Sequence, residues 1–488
     1  MISIRRSRTI VLPVLLFSLT WLLFSGRPKW LHHPSFAATN GTSADRIPPS
    51  PFHPGLVDFW DATASALVAA KPDCSLPTEP IEAPLHDFAS LKKGFDFRPD
   101  LLAIPQQDVD KMRDAHARFV AQIPELAHKL PYAADTRGIA VAASGALLPV
   151  FLVSLRMLRR TGSTLHVEVF MESRKNYEQE ICEIVLPPMN ATCMILSEIL
   201  GAVPQRLEMS RYQLKALALA FSSFDDVLLL DADNLPLEQP EHLLTSEPFL
   251  STGFVSWPDY WANTASPKFY EIAQQPVPRT SERAATDAGQ LLLSKSKHAP
   301  TLLLILYYNY HGPTHYYRLL SQSPAVLQGD RETDKETYLA AAMSLNASFH
   351  TVRTPVATLG YTQVHDKQFK PAGMVQHDPR DDDYGKTNNN VLGSSKELKA
   401  TIRPAFLHAN VYKTDASEMH EVFNDQIRSQ RMWGKTKDMV EQFGRDVEKQ
   451  VWAEMLYTGC HLEHAFGAWR NLSHVCKKIG RVYKFLYN

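Results

Sequence analysis

The central segment of the chain joins an apolar run directly to two acids. It reads Val227-Leu228-Leu229-Leu230-Asp231-Ala232-Asp233-Asn234-Leu235-Pro236. The apolar run predicts a buried strand, and Asn234 and Pro236 indicate that the strand ends there. In open α/β sheets, ligands bind at the carboxyl ends of the strands, where Asp231 and Asp233 are expected to lie. Two acids at such an edge need a positive partner, and a divalent cation carrying a diphosphate would supply that charge.

Strand and helix patterns alternate along the chain before this segment and continue after it. Strands are predicted at 137–145, 166–171, 193–196 and 289–294. Helices are predicted at 108–128, 147–161, 210–221, 301–309 and 335–345. Strands that alternate with helices favour the α/β class, with a mostly parallel central sheet.

The bulk properties are those of a globular protein without a nucleic-acid partner. The chain has 488 residues, of which 44% are hydrophobic and 21% charged, and its formal net charge is -1. A chain of this length corresponds to roughly two to three ordinary domains and can bury a large core. Because there is no basic excess, nucleic acid is excluded as the expected partner.

The amino terminus has the pattern of a membrane anchor. An uncharged run at 9–24 follows a basic cluster formed by Arg5, Arg6 and Arg8. As a helix, this run and the two residues after it are long enough to span a thin membrane. The basic cluster favours the cytosolic side, so the body is expected in the lumen, as in a type II membrane protein. A cleaved signal peptide that ends near Ser35-Phe36-Ala37 is the alternative.

The rest of the chain is divided by composition. A segment rich in proline, serine and threonine predicts a stem that holds the body away from the membrane. The expected divisions are a cytosolic tail at 1–8, a transmembrane anchor at 9–26, a stem at 27–105 and a lumenal domain at 106–488.

Glycosylation motifs and cysteines agree with a lumenal body. Asn-x-Ser/Thr sequons begin at Asn40, Asn190, Asn346 and Asn471. Cys182 and Cys193 are close enough in sequence to form one disulfide, and Cys460 and Cys476 a second, which leaves Cys74. The sequence has no Cys-x-x-Cys pair, which argues against a zinc site built from cysteines.

An Asp-x-Asp motif after a buried strand is compatible with two classes of enzyme. In nucleotide-sugar transferases, one acid binds the ribose or sugar of the donor, and the other chelates a metal ion on its diphosphate. In haloacid-dehalogenase-like phosphatases, the first Asp is a nucleophile and the second a general acid. That class favours Thr or Val at the position of Leu235 and places the motif near the start of its domain. The transferase class is therefore favoured, and two acids that only cap a loop remain the third interpretation.

Further motifs, which follow one another along the chain, indicate a resemblance to a known family. They are Ser210-Arg211-Tyr212-Gln213-Leu214-Lys215-Ala216-Leu217-Ala218, the Asp-x-Asp segment, Gly253-Phe254-Val255-Ser256-Trp257-Pro258-Asp259-Tyr260-Trp261, Ala288-Gly289-Gln290, Leu306-Tyr307-Tyr308-Asn309 and Asp334-Lys335-Glu336-Thr337-Tyr338. Together they resemble the fungal Golgi α-1,2-mannosyltransferase family, which builds the α-1,2 branches of cell-wall mannan. The resemblance runs from about Arg137 to Asn410. It implies a GT-A-like nucleotide-sugar transferase fold, GDP-mannose as donor, Mn²⁺ as cofactor and a type II protein of the Golgi membrane.

The resemblance also implies roles for residues around the donor. Asp231 resembles the acid that reaches the ribose or sugar, and Asp233 resembles the principal metal ligand. His408 stands where folds of this type often take a further ligand, with a buried histidine that binds no metal as the alternative. Arg137 begins the first strand of the nucleotide edge. Lys215 would meet phosphate, with a plain surface lysine as the alternative.

A separate group of residues is assigned to the acceptor sugar. Trp257, Asp259 and Trp261 would form this subsite, because aromatic rings bind the apolar faces of sugars and carboxylates bind their hydroxyl groups. Core packing is the alternative for at least one of the two tryptophans.

The late acidic motif is assigned to the reacting carbon. Asp334 and Glu336 resemble the acids of that motif and, with Asp231, are the predicted catalytic residues. An overlapping motif makes Asp330 a second candidate.

The stereochemistry follows from the donor and product that the resemblance implies. Both are α-linked, so a retaining α-1,2-mannosyltransferase is expected, acting on mannose residues of mannan and glycoprotein N-glycans. Metal and basic groups would hold the departing diphosphate. The alternatives are an α-1,3-mannosyltransferase, a transferase of the same fold that uses another sugar, and an inactive mannan-binding subunit. Related proteins often assemble in Golgi mannosyltransferase complexes, so such a complex is a further expected partner.

Overall fold

The computed structural model describes most of the chain after residue 51. The described residues are 52–76, 83–84, 86–91, 98, 100–205, 207–209, 211–322, 333–363, 367–382, 402–426 and 430–487. The predicted anchor at 9–26 and the acid Asp330 lie outside them. Among the described helices, none combines the length and the apolar character that a membrane span requires.

Two β-sheets form the framework of the described residues. Their strands are β1 (Ala133–Ala142), β2 (His166–Met171), β3 (Ala191–Ile195), β4 (Phe224–Leu230), β5 (Asn234–Pro236), β6 (Phe254–Ala262), β7 (Ala284–Ser294), β8 (His350–Thr351), β9 (Ala357–Thr362), β10 (Phe369–His377) and β11 (Pro404–His408). The central sheet has the order β3-β2-β1-β4-β7-β6-β8, and the small sheet has the order β5-β11-β10-β9. β1 to β4 run parallel, whereas β7 is antiparallel to both β4 and β6. The predicted α/β class and mostly parallel central sheet are confirmed.

β4 lies in the middle of the central sheet because both of its faces are apolar. Val227 and Leu229 pack into one hydrophobic core, and Leu228 and Leu230 pack into a second core on the opposite face. Side chains of a strand alternate between its faces, so an unbroken apolar run suits a strand that is buried on both sides. The strand ends at Leu230, which places Asp231 at the carboxyl edge of the sheet.

Helices pack on both faces of the central sheet. They are α1 (Leu56–Ala69), α2 (Gln106–Val120), α3 (Ile123–Ala127), α4 (Leu147–Arg160), α5 (Leu196–Leu200), α6 (Gln213–Phe221), α7 (Glu241–Leu244), α8 (Phe249–Thr252), α9 (Pro267–Ile272), α10 (Lys295–Tyr310), α11 (Tyr317–Leu320), α12 (Thr337–Ser344), α13 (Met419–Glu421), α14 (Thr436–Phe443), α15 (Val447–His461) and α16 (Val475–Tyr487). Buried residues of α6 and α10 belong to the first core, and those of α4 and α15 belong to the second. All five predicted helices occur, and the first is split into α2 and α3.

The small sheet carries His408 to the Asp-x-Asp segment. β11 pairs antiparallel with β5, and this register places His408 opposite Asn234. β10 pairs with β11 on its other side. The apolar strand ends before Asn234 and Pro236, as predicted, and these two residues belong to the short strand β5 of a second sheet. The chain therefore passes from one sheet to the other at the two acids.

Part of the predicted stem is folded into the body. Trp60 of α1 is buried in the first core, and its ring meets Phe221 of α6 edge-on, with 5.3 Å between ring centroids. The carbonyl of Leu67 accepts a hydrogen bond from Nε2 of His311 at 3.0 Å. The boundary that we predicted after residue 105 is therefore wrong, since the folded body already includes α1.

Both cysteine pairs proposed from the sequence form disulfides. Cys182 is bonded to Cys193 of β3, and Cys460 of α15 is bonded to Cys476 of α16. Cys74 is a free, partly buried thiol.

Candidate active site

The Asp-x-Asp turn lies where the two sheets meet. The backbone N–H of Asp231 donates to the carbonyl of Gly289 on β7 at 2.9 Å. The carbonyl of Asp233 accepts a hydrogen bond from the N–H of Ala409 at 3.0 Å. Neighbouring segments of both sheets thus satisfy the backbone of the turn and set the positions of the two acids.

Asp231, Asp233 and His408 form a compact cluster of ligand atoms. Nε2 of His408 lies 3.5 Å from Oδ1 of Asp233 and 4.0 Å from Oδ2 of Asp231. One ligand atom from each residue lies within 4.8 Å of the others. Two carboxylates and one imidazole are suitable ligands for a divalent metal ion. The three residues that the sequence proposed for the donor and metal therefore lie together and fit such an ion.

A glycine makes room for the ring of His408. A Cβ atom on Gly289 would lie 2.6 Å from both Cε1 and Nδ1 of His408. A side chain at this position would overlap the ring, so the close packing of His408 on β7 requires glycine. Asn234 fixes the same corner, because its Nδ2 donates to the carbonyl of Gly289 at 2.8 Å.

Asp287 of β7 holds the far side of the His408 ring. Its Oδ1 lies 3.2 Å from Nδ1 of His408, and its Oδ2 accepts hydrogen bonds from Gln290 at 3.1 Å and Gln376 at 2.8 Å. Burial raises the pKa of Asp287, but His408 and the two amides outweigh burial and hold that pKa below its usual value. A carboxylate behind a histidine fixes which ring nitrogen faces a metal ion. Asp287 was not predicted from the sequence, although it directly precedes the motif Ala288-Gly289-Gln290.

Lys215 neutralises two acids at the site. Its Nζ lies 2.9 Å from Oδ1 of Asp231 and 3.3 Å from Oδ2 of Asp334, and it donates to the carbonyl of Ala288 at 2.9 Å. Burial lowers the pKa of the ammonium group, but the two acids outweigh burial and raise the pKa above its usual value. The surface-lysine interpretation is therefore wrong. Three protein oxygens take the three N–H donors, so Lys215 holds the acids in place and does not meet phosphate directly.

Asp231 and Asp233 have opposite pKa shifts, although one residue separates them. Burial raises the pKa of Asp231, and Lys215 offsets this only in part, because the nearby charge of Asp233 raises it further. For Asp233, His408 and Lys413 outweigh the effect of burial and hold the pKa well below its usual value. Asp233 is thus the acid that is more readily ionised, as the principal ligand of a metal ion must be.

Lys413 is a basic group that the sequence analysis missed. Its Nζ forms an ion pair with Oδ2 of Asp233, and its side chain is 45% exposed. The side chain is therefore partly open to solvent while its ammonium group contacts the cluster. Lys413 follows His408 by five residues. A search for a cation close in sequence to the proposed third ligand would have found it.

Asp334 is joined to the cluster through Lys215. Its carboxylate also accepts a hydrogen bond from the hydroxyl of Tyr338 at 2.7 Å, and its carbonyl accepts one from the hydroxyl of Thr337 at 2.6 Å. Of the late acids in the described residues, Asp334 is the one that shares a cation with Asp231.

Glu336 forms a structural ion pair with Arg283. Its Oε2 accepts a hydrogen bond from Arg283 at 2.8 Å, and its Oε1 accepts one from the N–H of Thr286 at 2.7 Å. Burial raises the pKa of Glu336, but Arg283 outweighs burial and holds the pKa below its usual value. Both oxygens anchor the start of α12 to β7. This arrangement corrects the prediction that Glu336 faces the reacting carbon.

Trp257 belongs to the second core. It is 0% exposed, and its Nε1 donates to the carbonyl of His377 at 2.8 Å. Its ring meets that of Phe406 edge-on, with 5.4 Å between centroids. The core-packing alternative is correct for this residue, and the predicted contact with the acceptor is wrong.

Asp259 and Trp261 lie further along β6. Asp259 accepts a hydrogen bond from Nζ of Lys335 at 3.0 Å. Trp261 forms an isolated backbone bridge with Asp87. Both side chains are partly exposed, so their role in acceptor binding stays a prediction.

Arg137 lies in the middle of β1, away from the carboxyl edge that carries the acids. On β1 it stands beside Asp226 of β4, and its Nε pairs with Oδ2 of Asp226 at 3.3 Å. Asp226 precedes Asp231 by five residues, which is roughly 16 Å along an extended strand. The predicted contact of Arg137 with the nucleotide is therefore wrong. Ala143 and Ser144, just after β1, are the residues of this segment that reach the carboxyl edge.

Similarity to known proteins extends over most of the chain. Residues 136–378 match the family model described as "Mannosyltransferase putative". The chain is 30% identical over 473 residues to alpha-1,2-mannosyltransferase MNN21 of Candida albicans, which covers 83% of this chain and 70% of that protein. It is 34% identical over 342 residues to alpha-1,2-mannosyltransferase MNN2 of Saccharomyces cerevisiae, which covers 61% of this chain and 55% of that protein. For several such relatives the match therefore spans only about half of their length.

Similarity to solved structures is weaker. The galactosyltransferase LgtC, in complex with donor and acceptor sugar analogs, has a TM-score of 0.30 and 12% identity, over 44% of this chain and 73% of that chain. A similarity this low supports no conclusion about the site. The sequence matches, in contrast, include the segment that carries both acids, Lys215, Asp287 and Asp334. On that basis the chain belongs to the fungal α-1,2-mannosyltransferase family that includes MNN2 and MNN5, and it is a glycosyltransferase.

Proposed function

We propose that this chain is a metal-dependent, retaining α-1,2-mannosyltransferase of the GT-A type. It would move mannose from GDP-mannose to mannose residues of cell-wall mannan and glycoprotein N-glycans. The observation that supports this most is the cluster of Asp231, Asp233 and His408 at the carboxyl edge of the sheet, in a chain of this family. A nucleoside diphosphate at this edge needs a cation that the acids can hold.

The cluster would hold a divalent ion, proposed to be Mn²⁺. Asp233 is the more readily ionised acid, and His408 is fixed by Asp287 behind it and by the space at Gly289. An ion bound there stabilises the negative charge that develops on the departing diphosphate. Asp231, whose pKa is raised, is the acid assigned to the ribose or sugar of the donor.

Lys413 would supply a second positive charge for the leaving group. Its ammonium group contacts Asp233, and its side chain is partly exposed. A lysine in such a position can exchange its carboxylate partner for a phosphate oxygen when the donor binds. Lys215 acts differently, because its donors hold Asp231 and Asp334 together.

Asp334 is the acid that we assign to the reacting carbon. In a retaining transfer, a carboxylate near that carbon stabilises the positive charge that develops as the diphosphate leaves. Lys215 and Tyr338 hold the carboxylate of Asp334 in one position. The small residues after β1, Ala143 and Ser144, would leave space for the nucleotide base at the same edge.

The assay that tests this function uses the purified full chain with an α-mannoside acceptor and a panel of nucleotide sugars. We expect transfer from GDP-mannose with Mn²⁺, its loss in EDTA, and an α-1,2 link in the product by NMR. Asp233→Asn should abolish transfer, whereas Asp226→Asn, near the start of β4, should retain it. Turnover with a UDP-sugar alone, or an α-1,3 product, would overturn the proposal.

The proposed location is the Golgi membrane, with residues 9–26 as a type II anchor. The basic cluster before this segment favours a cytosolic amino terminus, and the two disulfides of the body are of the kind that persists in oxidising compartments. Protease treatment of intact Golgi vesicles tests the orientation. The body should be protected until detergent is added, and digestion of the body without detergent would contradict the proposal.

A further inference from the structure

A cavity of about 570 Å³ opens at the end of β6 and the start of β7. Its walls come from the segment around Phe88, the end of β6, the start of β7 and the segment from Phe349 to Val356. Its volume falls within the range of pockets that hold organic ligands. The cavity is therefore large enough for a short oligosaccharide.

Three consecutive residues link this cavity to the proposed reaction centre. Asp334 shares Lys215 with Asp231 on one side. Lys335 donates to Asp259, which lines the cavity, at 3.0 Å. Glu336, next in the chain, pairs with Arg283 of the cavity wall. The segment from Asp334 to Glu336 therefore contacts both the Asp-x-Asp cluster and the cavity wall.

The order of strands places the cavity on the acceptor side of the cluster. β1, whose carboxyl end is the proposed nucleotide edge, is the neighbour of β4 on one side. β7 and β6, which contribute to the cavity, follow β4 on the other side. A donor seated against β1 and a ligand in the cavity would therefore approach the two acids from opposite directions.

The lining suits an uncharged, hydroxyl-rich ligand. The aromatic rings of Phe88, Tyr260 and Phe349 offer faces for the apolar side of a sugar ring. Asp259 and Arg283 are each paired with an opposite charge, so the wall offers polar atoms without a positive excess. A phosphate group would need such an excess.

We propose that this cavity binds the inner sugars of the acceptor chain, next to the mannose that receives the transfer. The inference rests on the proposed transferase function. It replaces the acceptor wall predicted from Trp257 with one in which Asp259 is retained and Phe88, Glu282 and Phe349 are added. It also predicts that longer acceptors bind more tightly than a single mannose.

Kinetics with two acceptors test the proposal in the full chain. The variants are Phe88→Ala and Glu282→Gln, and the controls are Phe485→Ala and Glu125→Gln, which lie outside the cavity. The lost ring face in Phe88→Ala, and the lost carboxylate acceptor for sugar hydroxyls in Glu282→Gln, should each raise the KM for an α-linked mannotriose by roughly three- to tenfold. The KM for methyl α-mannoside and for the donor, and the thermal unfolding midpoint, should not change. An unchanged KM for mannotriose in both variants would overturn the proposal.

A binding measurement separates this proposal from the transferase function itself. Saturation-transfer NMR with a fixed concentration of mannotriose and no donor should give a signal for the wild-type chain that is weaker in Phe88→Ala and unchanged in Phe485→Ala. Equal signals in all three proteins would overturn the cavity proposal, whether or not GDP-mannose is turned over. A wild-type chain that binds mannotriose but transfers no mannose would instead overturn the proposed function alone.

Discussion

Oδ1 of Asp287 lies 3.2 Å from Nδ1 of His408, so a buried acid orients the ring that completes the ligand cluster. Replacing Asp287 by Ala should lower the affinity for Mn²⁺ by roughly 10- to 100-fold, because the ring loses the partner that fixes it. Asp287→Asn keeps an oxygen acceptor for the ring, so its loss of Mn²⁺ affinity should be smaller. Calorimetric titration of the full chain with Mn²⁺ measures both effects. Equal affinities for the wild type and both variants would contradict this role.

Gly289→Ala should disrupt the same ring by steric overlap. The added Cβ would lie 2.6 Å from two atoms of His408, so the ring must move away from the acids. We expect a loss of Mn²⁺ affinity and a loss of stability of roughly 1 to 3 kcal/mol. The matched control is Gly480→Ala, where the nearest atom, Cδ1 of Leu456, would lie at an ordinary 3.5 Å. Similar effects of the two substitutions would rule out the steric explanation.

Lys215→Met should destabilise the fold, because it leaves the partly exposed Asp231 and the buried Asp334 without their shared cation. The expected loss in the free energy of unfolding is roughly 3 kcal/mol. Adding Asp334→Asn should recover part of it by removing one of the two charges. Lys268→Met, in an exposed pair with Glu271, should change stability little. Urea unfolding of the three variants measures their free energies of unfolding and shows whether they follow this order. A double variant that is less stable than Lys215→Met would contradict the model of a shared cation.

Two buried histidines should make stability depend on pH. Burial lowers the pKa of His116 and of His311 to about 4, from the ordinary value of 6.5. Between these values the unfolded chain binds protons that the folded protein does not, so stability falls as the pH decreases from 6.5 to 4. Each histidine contributes a slope of up to about 1.4 kcal/mol per pH unit in this window.

Urea unfolding at a series of pH values isolates the contribution of these histidines. His116→Gln and His311→Gln should each reduce the dependence of the unfolding free energy on pH. His464→Gln, an exposed histidine, serves as the control. If neither variant has a smaller slope than the control, protonation of these histidines does not limit stability at low pH.

The strand and its two acids were predictable because their signal is local. Four apolar residues followed by Asp231 and a turn specify a buried strand and its end, without knowledge of any distant residue. The small sheet was not predictable in this way, since β5 and β11 are separated by more than one hundred residues. Lys413 reaches the site through that long-range pairing, and Asp287 reaches it because β7 pairs with β4, so the residues around Asp231 do not reveal either contact.

Two errors in the sequence analysis have different physical causes. Arg137 was assigned to the nucleotide although the predicted strand at 137–145 begins with it, and the rule that places ligands at carboxyl ends already excludes it. Trp257 and Trp261 are four residues apart, so regular alternation would put them on one face of β6. The register of β6 against β7 shifts between them, and only Trp257 is buried in the core.

The position of α1 has a practical consequence for the preparation of the enzyme. A soluble fragment cut after residue 105 would lack Trp60, and the ring of Phe221 would face water where the helix had covered it. Exposed apolar patches of this kind favour aggregation. A truncated gene intended for crystals or for kinetic assays should therefore begin before Leu56, so that α1 is present and covers Phe221.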